Sequence, residues 1–233
     1  MRPRLIHANS YRRERWRNDL GWTREIARYP QDDDASLESP HTDVRALAEG
    51  PASRPHMDMR VVAEEPAFDY RISIAEIERD CAFSVFPGCD RQLVLLSGNG
   101  MTLTFDDGET LDVRSPHGRV AFAGERALHC RLRDGPTHDF NVMVRRDRCS
   151  AQVLHRPLVG SMVFFAEPGV SWAIYLLAGG ARIKQSDLVL APGDTVLLED
   201  DQTTSAARHI LDGAGEALLV RLQRLDQIAQ QNA

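Results

Sequence analysis

From Asp69 onward the chain is a succession of short apolar runs, each closed by Gly, Asp, Pro or Asn: DYRISIAEI, RQLVLLSG, GMTLTFD, ETLDV, RVAFAG, LHCRLR and DFNVMVRR, then AQVLHR, SMVFFAE, SWAIYLLAG, DLVLAPG, TVLLED and ALLVRLQ. Short runs rich in Val, Ile, Leu and Phe between turn residues read as strands, and many in close order imply an all-β sandwich, jelly roll or barrel. Helical periodicity is nearly absent. Only the tail, LQRLDQIAQQ, places Leu222, Leu225, Ile228 and Ala229 on one helical face, which predicts a short C-terminal helix.

An internal repeat narrows the architecture. Pro87, Gly88, Leu95, Leu96 and Gly98 recur as Pro168, Gly169, Leu176, Leu177 and Gly179, and further on Pro116 and Val144-Arg145 recur as Pro192 and Val220-Arg221. The offset contracts between the two sets, and the hairpin FDDGETL is the natural place to lose residues. Two copies of one β-unit follow. Each has the order of a cupin: an apolar hairpin closed by Gly, a Pro-led turn (SPHG, APGD), then more strands. The expected fold is therefore a double-stranded β-helix bicupin. Residues 1–150 would form an N-terminal barrel with a lead-in strand, and 151–233 a C-terminal barrel.

Charge is concentrated in an insertion. Between Gln31 and Pro66 stand nine acidic residues and three arginines, which accounts for the whole formal net charge of −6. This segment is Pro-rich and aperiodic, a surface excursion with one turn of helix at DVRALAEG; it is either a lid or a tolerated insertion. A chain with this balance lacks the basic face that follows phosphates, which argues against a nucleic-acid partner. No apolar run reaches the ~20 residues that cross a bilayer, so no membrane partner is expected, and the N-terminus lacks the apolar core of a signal peptide. A cytoplasmic protein is expected, its four cysteines (Cys81, Cys89, Cys130, Cys149) reduced and buried.

Four blocks carry a family resemblance: WRNDLGWTREIA (Trp16 to Ala27), FDYRISIAEI (Phe68 to Ile77), FSVFPGCDRQLVLLSGNG (Phe83 to Gly100) and HDFNVMVRR (His138 to Arg146). In this order they resemble the HutD/Ves family. The resemblance implies a bicupin, often encoded beside histidine-utilisation genes and without an established catalytic activity. It also implies binding of a small carboxylate metabolite, such as formylglutamate, that restrains histidine breakdown. The chain departs from the family's Trp-Lys-Asn-Gly-Gly-Gly block at Trp16-Arg17-Asn18-Asp19-Leu20-Gly21, and has Tyr70 where the family has Trp before Arg-Ile-Ser.

A cupin metal site needs about three imidazoles and a carboxylate, usually with His-x-His on one strand. The eight histidines contain no such pair, so neither a metal nor another cofactor is expected. No Gly-x-Ser-x-Gly elbow is present either. Strand alternation is more informative. Arg71 and Ser73 share one face of YRISIA, and Asp139, Asn141 and Met143 share one face of HDFNVMV. Turned inward these faces would bind a carboxylate; turned outward they would be solvated.

Arg91 follows the turn PGCD, either as a carboxylate clamp or paired to Asp90 or Glu25. Asn18 and Thr23 complete the candidate ligand-binding set of Arg71, Ser73, Arg91, Asn141, Asn18 and Thr23, with no catalytic residue and no metal ligand. Two other readings stand beside this one. One is a metal-independent isomerase or hydrolase using His138 or Glu25 as acid-base group; the other is a structural module that forms a homodimer.

Overall fold

The computed structural model describes residues 2–16, 18–30, 68–184, 186, 188–199 and 208–225. The acidic insertion, with its expected helical turn, lies outside the described residues, as do Ile228 and Ala229 of the expected C-terminal helix. The described part of that tail is not helical: Leu222 is inside a strand and Leu225 lies in a bend just beyond it. Among the described residues the one helical element is a short turn at Ala8–Ser10. None of them forms a helix long and apolar enough to cross a membrane.

The strands form three antiparallel sheets. The first orders β2 (Arg12–Arg15), β3 (Gly21–Tyr29), β4 (Tyr70–Ile77), β11 (Thr137–Arg145), β6 (Cys89–Ser97) and β9 (Arg119–Ala123). The second orders β5 (Cys81–Ala82), β10 (Leu128–Leu132), β7 (Gly100–Phe105) and β8 (Thr110–Arg114). The third runs β1 (Arg2–Ile6), β15 (Thr195–Glu199), β13 (Val170–Ile183), β16 (Arg208–Arg224) and β12 (Cys149–Phe165), with β14 (Leu188–Leu190) beside β13.

Because side chains alternate along a strand, each face of the first sheet has its own neighbour. One face carries Tyr70, Ile72, Ile74, Val94, Phe140 and Val142. It packs against Ala173, Tyr175, Leu197, Leu218 and Val220 of the third sheet in one apolar core. The opposite face, with Ala75, Ile77, Leu93 and Leu95, packs with Met101, Leu103, Val113 and Cys130 of the second sheet. A further core lies within the third sheet, built on Ile174, Leu176, Val196, Leu198 and Leu219. Burial of such side chains contributes roughly 1.5–3 kcal/mol each, which makes these cores the main source of stability. All four cysteines are free and buried, Cys89 in a separate small cluster with Phe68 and Met143.

The sequence repeat has a backbone counterpart. Gly88 and Gly169 have φ of 72° and 71°, and Gly98 and Gly179 have φ of 93° and 86°, values that glycine adopts without steric cost. The Arg146 amide donates to Gly88 O at 2.9 Å, and the Arg224 amide to Gly169 O at 2.9 Å, so in space Val144-Arg145 corresponds to Leu222-Gln223 and not to the expected Val220-Arg221. The Leu95 amide donates to Gly118 O, and the Leu176 amide to Asp194 O. β6 and β13 each bulge once, skipping Leu96 and Leu177, the same position of the repeat.

Cross-links join the two halves of the chain. Gln92 donates to Ala151 O at 2.6 Å and accepts from the Val153 amide, and Arg119 donates to Val153 O at 2.9 Å. The N-terminal segment is tied in from the other end. β1 pairs with β15, Asp194 Oδ1 accepts from the Ala8 amide, and Tyr11 Oη donates to Gly193 O.

Candidate functional site

The face of the first sheet that looks toward the second sheet carries most of the expected polar residues. The register places Glu25, Ser73, Asn141 and Leu93 side by side across β3, β4, β11 and β6. The next row is Arg71, Met143, Arg91 and Phe122, and on the other side stand Thr23, Ala75, Asp139 and Leu95. These faces point inward: Ser73 is 3% exposed, Arg91 6%, Asp139 1% and Asn141 7%. The solvated alternative is thereby excluded. No histidine stands on these faces, so a cupin-type imidazole set is absent from them among the described residues.

Arg91 is the centre of this region. Its guanidinium lies 5.3, 5.6 and 5.1 Å from the rings of Phe83, Phe86 and Phe122, a cage that favours a cation through the ring quadrupoles. Neither Asp90 nor Glu25 holds it. Asp90 pairs with Arg146 at 2.7 Å, and Glu25 pairs with Arg71 at 2.7 Å and with Arg28 at 3.4 Å. Among the described residues the one hydrogen bond from Arg91 is a long contact to Ser84 O at 3.5 Å, and its Nε has no partner there. Burial lowers the affinity of this guanidinium for its proton to a pKa of about 10, even with the Asp139 carboxylate acting the other way.

Asp139 is the residue that alternation places on this face but that the candidate set leaves out. Both its oxygens lack a hydrogen-bond partner among the described residues, as do Asn141 Oδ1 and Thr137 Oγ1 on the same strand face. Burial raises its pKa to about 7, with Arg91 pulling it down only in part. At neutral pH the carboxyl group is therefore shared between acid and anion, able to donate as well as accept.

Two candidates have local roles. Asn18 is exposed, its side-chain oxygen accepting from the Leu20 amide at 3.1 Å, so it shapes the turn before β3 and lies apart from the inner face. Thr23 is on that face, but its hydroxyl accepts from Trp16 Nε1 at 2.8 Å. His138, offered as an acid-base group, points away from Asp139. It lines a different space, a cleft of about 440 Å³ with Arg24, Leu96, His117, Leu177 and Glu216. Burial lowers its pKa, which favours neutral imidazole.

This cleft lies between equivalent parts of the two copies: Leu96 and Leu177, Ser97 and Ala178, and His138 and Glu216 are matched pairs in the repeat register. A second cleft, of about 360 Å³, is lined by Asp90, Gln92, Ala121, Phe122 and Ala151.

With this geometry in view, the relatives are informative. The HutD family model matches residues 57–219. The chain belongs to the HutD family. Protein Ves of Cronobacter sakazakii is 31% identical to it over 76% of each chain. A second, an uncharacterised 21.2 kDa protein in the hutC 3′ region of Pseudomonas putida, is 30% identical over 64% of this chain and 62% of its own length. Among solved structures, HutD of Pseudomonas fluorescens SBW25, in a formate condition, aligns over 96% of this chain and 99% of its own with a TM-score of 0.70 and 22% identity. A conserved protein of unknown function from Pseudomonas aeruginosa PAO1 gives the same TM-score at 23% identity, over 96% and 98%. The HutD fold is thus shared along nearly the whole chain.

Proposed function

We propose that this HutD-family protein is a bicupin that binds a small carboxylate metabolite on the inner polar face of its N-terminal barrel and thereby tunes histidine catabolism. The observation that carries this reading is Arg91: a buried cation in an aromatic cage, with no ion-pair partner among the described residues. Burying an unpaired charge is costly, and a ligand carboxylate offsets that cost. Protonated Asp139 would donate to the same ligand, and Ser73 and Asn141 would orient it. Arg71 bonds Glu25 through Nε, which leaves its terminal nitrogens for a second carboxylate of a formylglutamate-like molecule. The hutC-region relative supports the link to histidine utilisation.

The test is thermal melting with formylglutamate, urocanate and glutamate. A ligand that binds only the native state raises the melting temperature. Arg91→Met, which keeps the packing volume inside the cage, is expected to remove the shift, and Asn18→Ala to leave it intact. A shift that survives Arg91→Met would place the ligand elsewhere, and turnover of a ligand would replace binding with catalysis.

A further inference from the structure

Away from the inner face, one cluster of ligating atoms converges. His117, in the turn between β8 and β9, His155 on β12 and Glu216 on β16 each offer an atom, and these atoms lie within 4.8 Å of one another. His155 Nε2 is 3.0 Å and His117 Nε2 is 3.6 Å from the same oxygen of Glu216. Ligands at the usual bond length of ~2.0–2.2 Å from one ion stand roughly 3–3.5 Å apart, so small rotations of three partly exposed side chains suffice.

The hydrogen bonding of His117 points the same way. Its Nδ1 lies 3.1 Å from Leu95 O, and a carbonyl oxygen only accepts, so Nδ1 is the donor of this bond. That leaves Nε2, the ring nitrogen facing Glu216 Oε2, as the atom a metal ion would take. Metal-bound histidines commonly donate their other ring N–H to a backbone carbonyl in this manner. His117 also has a φ of 50°, in the left-handed region, at the turn position where the second copy has Gly193. A side chain is held there against a backbone cost that glycine avoids.

We propose that His117, His155 and Glu216 form a site for a divalent first-row transition metal, which would join the SPHG turn of the first copy to β12 and β16 of the second. Two imidazoles and a carboxylate are a donor set that zinc accepts, and three protein ligands leave a position for water or a ligand oxygen. His117 and Glu216 both line the 440 Å³ cleft, so that position is within reach of a molecule bound there.

Zinc titration of the full-length protein at pH 7.5, followed by calorimetry and thermal melting, tests this. One ion per chain is expected, with a rise in melting temperature of roughly 5–10 °C at a hundredfold excess over Kd. His155→Ala and Glu216→Gln are expected to lose the ion; both side chains are exposed enough to be dispensable for folding. His138→Ala, which alters the cleft without removing a ligand, is expected to bind as the parent does. Failure of the parent protein to bind zinc at ~100 µM would overturn the site, as would equal binding by His155→Ala and Glu216→Gln.

Discussion

His117 and Gly193 occupy the same position in two matched turns and make the same bond with different atoms. His117 Nδ1 reaches Leu95 O at 3.1 Å, and the Gly193 amide reaches Leu176 O at 2.7 Å. The first copy has moved a backbone bond onto a side chain, at a φ of 50° that disfavours residues bearing a Cβ. His117→Gly and His117→Ala both lose the ring, but only alanine keeps the backbone strain. The glycine variant is expected to be the more stable by about 1 kcal/mol in urea denaturation. Equal stability would mean that the turn relaxes once the imidazole is gone.

Asp139 makes stability depend on pH with an unusual sign. Its folded-state pKa of about 7 lies above its unfolded value, so the native state binds the proton more tightly. Its contribution is present below about pH 4 and is lost as pH rises toward and through 7. Asp139→Asn removes this dependence. The difference in melting temperature, variant minus parent, is expected to increase from pH 5 to pH 8, by an amount corresponding to about 1–3 kcal/mol. A flat difference would show that Asp139 is ionised throughout.

A carboxylate bound beside Asp139 would raise its proton affinity further, by like-charge repulsion. Ligand binding near pH 7 is therefore expected to take up a fraction of a proton, seen as a binding enthalpy that varies with the ionisation heat of the buffer. Asp139→Asn should abolish that variation.

Two glycines with nearly equal φ separate backbone strain from close approach. Gly179 has φ +86°, and a Cβ there would meet Ala214 O at 1.9 Å; Gly108 has φ +89° with nothing within 4 Å. Gly108→Ala is expected to cost about 1–2 kcal/mol, the left-handed penalty alone. Gly179→Ala must also separate β13 from β16 and is expected to cost about 3 kcal/mol or more. Urea midpoints at constant m would show the gap.

Tyr11 holds the N-terminal segment to the far half of the chain, with Oη 2.6 Å from Gly193 O and 2.8 Å from Thr195 Oγ1. Burial raises its pKa, so the phenol stays neutral. Tyr11→Phe is expected to cost about 1–2 kcal/mol and to increase amide exchange in β1.

The strands are legible in the sequence because turn residues punctuate them, and the inner polar face because Arg71, Ser73 and Asn141 alternate with Ile72, Ile74, Phe140 and Val142 on the other side. Leu222, placed on the expected helical face, lies in β16 instead. Ala217 and Leu219 pack into one core and Leu218, Val220 and Leu222 into another. A strand buried on both faces shows a continuous apolar run, which periodicity cannot tell from a helix. Asp139 does not stand out as a ligand-binding group because a carboxylate is a poor partner for an anion until burial raises its affinity for a proton. His117, His155 and Glu216 leave no local signal at all, since strand pairing and a turn bring together residues far apart along the chain.

The paired bulges at Leu96 and Leu177 have a consequence for direction. In a two-fold homodimer residue i meets residue j and j meets i, so only a side chain on the axis faces its own copy and the seam as a whole has no direction. Here both sides of the seam belong to one polypeptide, and the matched positions have diverged to His138 on one side and Glu216 on the other. The cleft thereby acquires a polarity that two identical chains could not give it, and a guest with unlike ends has one preferred way to enter.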